Sequence, residues 1–155
     1  MSAIRVIPAH GEMAAVLAQL HALCFEPLPE TPWSEGALRS LLKAPGHLSF
    51  VAVGPGEEPT GFLLGRETGG DAEILTVCVR PDSRRRGVAR QLLAAFAGAL
   101  PAQTRIVLEV AVGNRAAIKL YQSMRFVPVG RRPGYYGSGA EAQDALIYAC
   151  EHRSE

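Results

Sequence analysis

Three stretches of the sequence hold residues whose types and spacing suit chemistry. The first is "RRRGVARQLL", residues 84–93, where three arginines run into Gly87 and then into an apolar stretch with helical spacing. Backbone N–H groups at a helix start have no partner inside the helix, and the dipole adds about half a positive charge there. Phosphate oxygens suit such a site. Gly87 lets the backbone come close, Ala89 keeps the next turn small, and the arginines add positive charge at the rim. On its own, the run is equally a solvated helix start or a nucleic-acid patch. Neither G-x-G-x-x-G nor G-x-x-x-x-G-K-S/T occurs, which weakens dinucleotide and nucleotide-triphosphate readings.

The second stretch is "TRIVLEVAV", residues 104–112, where Glu109 is the only acid in an apolar, β-branched strand. Burying an ionised carboxylate without a partner is costly. Glu109 is therefore either a partly desolvated general base or an edge glutamate that faces water or pairs with an arginine. The third stretch follows directly. Asn114 and Tyr121 are seven residues apart, two helical turns, and share a face with the small Ala117 between them. Asn114 suits an N-cap and can also bond a ligand. The Tyr121 hydroxyl is either a proton donor or a satisfied group in the core.

Other candidates are weaker. Glu26 and Glu30, in a proline-rich segment, are solvated acids or an attraction for an ammonium. Tyr135 and Tyr136, in a glycine-flanked loop, anchor that loop or wall a groove. Trp33 is expected to pack the second helix onto the sheet. Cys24, Cys78 and Cys150 have no CxxC spacing and read as three reduced thiols. His10, His21, His47 and His152 lack metal-ligand spacing, so no metal site is read.

These residues need a frame. The 155 residues fit one domain, residues 1–155, with 48% hydrophobic and 20% charged residues. A net charge of +1 provides no global field for nucleic acid or an anionic membrane, and neither is expected as a partner. No leader pattern or membrane-length apolar run appears, so a soluble cytoplasmic protein is expected. Periodicity predicts strands at 3–7, 48–54, 60–67, 72–80, 104–112, 125–132 and 144–150. It predicts helices at 11–25, with Val16, Leu17, Leu20 and Leu23 at helical spacing, and at 35–43 behind a Ser34 cap. Two more are predicted at 87–100 and 114–123. Residues 133–143 read as a loop. The order βααβββαβαββ implies an α/β protein, a central mixed sheet with helices on both faces.

Arg84-x-x-Gly87-x-Ala89, opening a helix after an apolar strand, together with this element order, resembles the GNAT N-acetyltransferases over nearly the whole chain. Within that superfamily it is similar to the bacterial ribosomal-protein alanine N-acetyltransferase (RimI-like) type. The matching stretches are "PWSE" (32–35), "ILTVCVRPDSRRRGVARQLL" (74–93), "LEV" through "LY" (108–121) and "R..YY" (132–136), with "DALI" (144–147) looser. The resemblance implies the GNAT fold, a mostly antiparallel sheet of about seven strands. It implies acetyl-CoA as co-substrate, no metal, and direct attack of a primary amine on the thioester. The acceptor implied is the N-terminal α-amine of a protein, of the ribosomal-protein alanine type, and the enzyme a monomer or weak homodimer. A small-molecule amine or lysine acetyltransferase is the alternative enzyme, and a non-catalytic acyl-CoA-binding regulatory domain the alternative of another class.

By the same resemblance, the pyrophosphate would sit on the N–H groups of Arg85, Arg86, Gly87, Val88, Ala89 and Arg90, with Arg84 beside them. Val77, Cys78 and Val79 would pair with the pantetheine arm as a pseudo-strand and supply an oxyanion N–H. Asn114 would bond the arm, Glu109 would be the base and Tyr121 the acid. Glu26, Tyr135 and Tyr136 would wall the peptide groove. Two departures stand out. The family's Arg-x-Ser-Asn is Ala111-Val112-Gly113-Asn114 here, which removes an arginine and whatever ion pair it makes. Its Gly-Phe is Arg125-Phe126, which predicts a different helix exit.

Overall fold

The structure is a computed structural model that describes residues 4–25, 33–136 and 143–151. Glu26 and Glu30 lie outside the described residues. The elements follow the expected order: β1 (Arg5–Pro8), α1 (Ala14–Phe25), α2 (Glu35–Lys43), β2 (Phe50–Val53), β3 (Pro59–Glu67), β4 (Asp71–Val79), α3 (Val88–Gly98), β5 (Arg105–Ala111), α4 (Arg115–Ser123), β6 (Val127–Tyr136) and β7 (Gln143–Glu151). The seven strands form one sheet in the order β1-β2-β3-β4-β5-β7-β6. Every pair is antiparallel except β4–β5. No helix among the described residues is long and apolar enough to cross a membrane.

Two apolar clusters cover the two faces. α3 buries Val88, Leu92, Leu93 and Phe96 with Ile74, Leu108 and Val110 of the sheet, at about 1.5–3 kcal/mol for each large side chain. Gly65 of β3 leaves room for the Phe96 ring, which a Cβ there would strike. On the other face, α1 and α2 bury Leu17, Leu20, Leu38 and Leu42 against Phe62 and Leu64. The Ser34 hydroxyl caps α2 by accepting the Ala37 N–H at 3.1 Å, as expected.

Four expectations need correction. The buried stripe of α1 runs through Ala14, Leu17, Leu20, His21 and Cys24, whereas Val16 and Leu23 are about half exposed. Helical spacing alone did not choose between two faces that both carry apolar residues. Cys24 and Cys78 are joined as a disulfide, with Cα atoms 6.1 Å apart, rather than standing as reduced thiols. Both point into the α1 cluster, a meeting that a sequence separation of 54 residues conceals. β6 continues through Pro133 to Tyr136 instead of ending in a loop at Arg132. Its register breaks between Arg132 and Tyr136, Gly134 takes φ 61°, and the Asp144 carboxylate accepts the Gly134 N–H at 2.8 Å. That N–H, and then the Arg131 guanidinium, hold the Asp144 carboxyl below its usual range. Finally, α4 exits through Arg125 at φ 72°, with the Phe126 N–H on the Tyr121 carbonyl at 3.0 Å. A glycine-type stop is thus made with an arginine, so the geometry of the exit is kept.

The centre of the sheet is irregular in a way that matters for the site. Leu64 pairs with Thr76 and Gly65 with Ile74, so Leu75 is an extra residue opposite nothing, a β-bulge. Before it, Ala72 and Ile74 face the α3 cluster; after it, Val77 and Val79 do, while Leu75 and Cys78 face the α1 cluster. The parallel ladder with β5 covers only Asp71 to Ile74 against Arg105 to Leu108. Beyond that point β5 continues with β7 as far as Ala111, and the two central strands part.

Candidate active site

The parting of β4 and β5 opens a cleft with two chambers. One, of about 270 Å³, is lined by Val77, Cys78, Val79, Arg84, Ala89, Asn114 and Ala117 among others. The other, of about 280 Å³, is lined by His21, Trp33, Leu75, Thr76, Glu109 and Tyr135 among others. Val77, Asn114, Ala117 and Tyr121 line both, so the chambers meet at Tyr121.

The first chamber is built of backbone. The edge of β4 from Leu75 onward has no ladder to β5, which leaves main-chain groups for an extended ligand to pair with. At its end lies the N-terminus of α3. Gly87 is the N-cap at φ 83°, with no side-chain cap, and Arg85 is also left-handed at φ 64°. Left-handed residues around such a turn direct successive N–H groups to one concave side, the shape that holds anions. The first helical bond, Gln91 N–H to the Gly87 carbonyl at 3.0 Å, leaves the N–H groups of Val88, Ala89 and Arg90 outside the ladder. No atom lies within 4 Å of a Cβ built on Gly87, so that position is glycine for its backbone hand and not for packing.

The arginine side chains differ in their use. Arg84 donates from Nε to the Val79 carbonyl at 3.0 Å, tying the loop to the end of β4. Arg90 donates to the Ser123 hydroxyl at 2.9 Å, bracing α3 against α4. Arg85 and Arg86 are exposed. Val88 turns its side chain into the core and Cys78 turns its own to the opposite cluster, so both can meet a ligand in the cleft only through the main chain.

The second chamber is built of side chains. Glu109 lies at its wall, its carboxylate oxygen Oε1 3.1 Å from Arg132 Nη2, with its side chain 19% exposed. Its other oxygen, Oε2, is buried and has no hydrogen-bond partner among the described residues. Arg132 in turn lies over the Tyr135 ring, 5.2 Å from the centroid. Tyr121 is buried against Phe126, ring centroids 5.7 Å apart. Asn114 caps α4, its Oδ1 accepting the Ala117 N–H at 3.3 Å, while facing both chambers. Of Tyr136 the strand backbone is described.

Sequence reasoning missed His21, Thr76 and Arg132, and gave Trp33 no place in the site. His21 is buried at 2% exposure. Its Nδ1 accepts the Trp33 N–H at 3.2 Å, its Nε2 lies 3.5 Å from the Thr76 hydroxyl, and burial pushes its pKa from 6.5 down to about 4. A neutral imidazole therefore links α1, the start of α2 and β4. The available signal was a histidine four residues after Leu17 and three before Cys24 on one helix face.

Known proteins share this architecture. The model of the acetyltransferase (GNAT) family matches residues 15–126. The N-alpha-acetyltransferase RimI of Mycobacterium tuberculosis is 34% identical over 130 residues, covering 81% of this chain and 80% of its own. The [Ribosomal protein bS18]-alanine N-acetyltransferase of Escherichia coli K12 is 31% identical over 120 residues, 76% of this chain and 80% of its own. An uncharacterized Mycobacterium leprae protein is 35% identical over 81% of this chain, which spans only 35% of that longer relative. Among solved structures, the E. coli ribosomal-protein-S18-alanine N-acetyltransferase superposes with a TM-score of 0.84 at 24% identity, covering 99% of this chain and 96% of its own. Arabidopsis thaliana NAA60 in complex with acetyl-CoA gives 0.77 at 21% identity, covering 96% and 98%. The chain therefore belongs to the acetyltransferase (GNAT) family and is an N-acetyltransferase.

Proposed function

We propose that the protein transfers an acetyl group from acetyl-CoA to the N-terminal α-amine of a protein, of the ribosomal-protein alanine type. The observation that carries this reading is Glu109 at the wall of the chamber that meets the main-chain groove at Tyr121, with its oxygen Oε2 buried without a partner among the described residues. Such an oxygen calls for a donor, and an incoming ammonium is one.

The groove fits the co-substrate. The N–H groups of residues 85–90 suit the pyrophosphate, Arg84, Arg85 and Arg86 add charge around it, and the open edge at Val77, Cys78 and Val79 suits an amide-bearing arm, with Asn114 opposite. Bound there, acetyl-CoA supplies an electrophilic thioester carbonyl and a thiol leaving group. The Glu109 carboxylate takes the proton from the acceptor ammonium, directly or through water, and leaves the amine lone pair free to attack. An N–H of β4 next to the Leu75 bulge stabilises the developing oxyanion. The Tyr121 hydroxyl, at the junction of the chambers, donates a proton to the departing sulfur. Tyr135 borders the acceptor's path, and Trp33 and His21 form its floor.

The test is to incubate the protein with acetyl-CoA and an N-terminal ribosomal-protein peptide, then find the acetyl group by mass spectrometry. Acetylation at the α-amine is expected. A peptide with a blocked N-terminus should stay unmodified; acetylation at its lysine would move the acceptor to the side chain. No turnover on any peptide amine would remove the proposal.

A further inference from the structure

We infer that Arg132 is a positioning residue for the transfer step: it grips Oε1 of Glu109 from across β7 and so fixes the carboxylate at the wall of the chamber. The inference rests on the reading of Glu109 as the base. Arg132 belongs to β6, Glu109 to β5, and β7 runs between them. Ala145 of β7 pairs with Arg132 on one side and with Ala111 on the other. Glu109 and Ala111 alternate onto one face of β5. Two alanines in a row across the strands leave nothing for the long arginine to climb over. Its guanidinium reaches Glu109 Oε1 at 3.1 Å.

Arg132 is itself braced. Its guanidinium lies 5.2 Å from the Tyr135 ring centroid, a cation–π contact. The bend that brings Tyr135 there is pinned by Asp144, which bonds the Gly134 N–H and the Arg131 guanidinium. The result is an asymmetric carboxylate: Oε1 paired, Oε2 buried and without a partner among the described residues. Because the Glu109 side chain is only 19% exposed, removing the guanidinium leaves a largely buried carboxylate without its partner, which costs stability as well. The contribution to transfer lies in fixing the direction of the carboxylate, where small displacements of a reacting group are costly.

The experiment compares Arg132→Gln, Arg132→Lys, Glu109→Gln and the double variant Arg132→Gln/Glu109→Gln, in the full chain with a peptide acceptor. Arg132→Gln should lower kcat about tenfold or more, while acetyl-CoA affinity stays at its wild-type value. Arg132→Lys, which keeps a cation on a stem of similar reach, should recover part of the loss. In the Glu109→Gln background, Arg132→Gln should cost less than about twofold further, because both act through one group. A single Arg132→Gln within about twofold of wild type overturns the inference, and so does an equal loss in both backgrounds. A Glu109→Gln enzyme at wild-type rate removes the base reading, and this inference falls with it.

Discussion

The two chambers of the cleft bind by different means. The groove along β4 and α3 is made of main chain: an unpaired strand edge, two left-handed residues and a helix start, all between Leu75 and Arg90. The other chamber, proposed above to take the acceptor, is made of side chains from α1, the entry to α2, β4, β5, α4 and β6. Main-chain recognition asks only that a short stretch hold its shape, so most of its side chains are replaceable. Side-chain recognition asks that distant segments arrive together, so each residue is exposed to errors made elsewhere in the fold.

The sharpest way to break this comparison is Glu109→Gln. It should lower kcat by about 10²–10⁴-fold with acetyl-CoA affinity, measured by calorimetry, unchanged. A joint loss of affinity would mean that the chambers are not separable. Next comes acid. Burial holds His21 neutral down to a pKa of about 4, whereas the unfolded chain takes the proton near 6.5. The unfolded state therefore binds more protons between those values. The stability linked to neutral His21 is complete above pH 6.5 and is lost as pH falls toward 4, by about 3 kcal/mol in all. Denaturant unfolding at a series of pH values, followed through Trp33, the only tryptophan, should show the decline. A curve that stays level for wild type, or that declines equally for His21→Gln, would remove His21 from that role.

On the groove side, Gly87→Val forces a β-branched residue into φ 83°. A strain of about 1–2 kcal/mol corresponds to a five- to thirtyfold weaker Kd for acetyl-CoA. It should exceed the loss from any single alanine at Arg84, Arg85 or Arg86; a costlier arginine would show that side chains supply the grip. The smallest effect is expected for Asp144→Asn. It loses the exposed ion pair with Arg131, so stability should move by less than about 1 kcal/mol, while KM for the peptide rises as the Tyr135 bend loosens.

The same contrast explains what could be read in advance. The α3 entry was legible because its signal is contiguous: an apolar strand, a glycine, and Val88, Leu92, Phe96 and Leu100 at helical spacing, all buried as expected. The Ser34 and Asn114 caps were legible because capping is local. Arg132 was not, since its partner is fixed by the path of three strands. His21 was hidden because α1 carries apolar residues around its whole circumference, so no stripe marked the inward face. The continuation of β6 through "PGYY" was hidden by a proline and a glycine that, at a sheet edge, mark a bulge and not an end.

Leu75 gives the cleft a further property. A strand that alternates faithfully presents one set of side chains to each face along its whole length. The unpaired residue in β4 resets that count, so Ile74 and Cys78, four positions apart, face opposite ways. The site is therefore specified partly by chain length. A one-residue deletion at 75 would leave every cleft residue but Leu75 itself in the sequence, yet send Val77 and Val79 to the α1 side and Cys78 away from Cys24. Point substitutions test the letters of this strand. Only insertion or deletion tests its spacing, and the spacing sets which residues the two bound molecules meet.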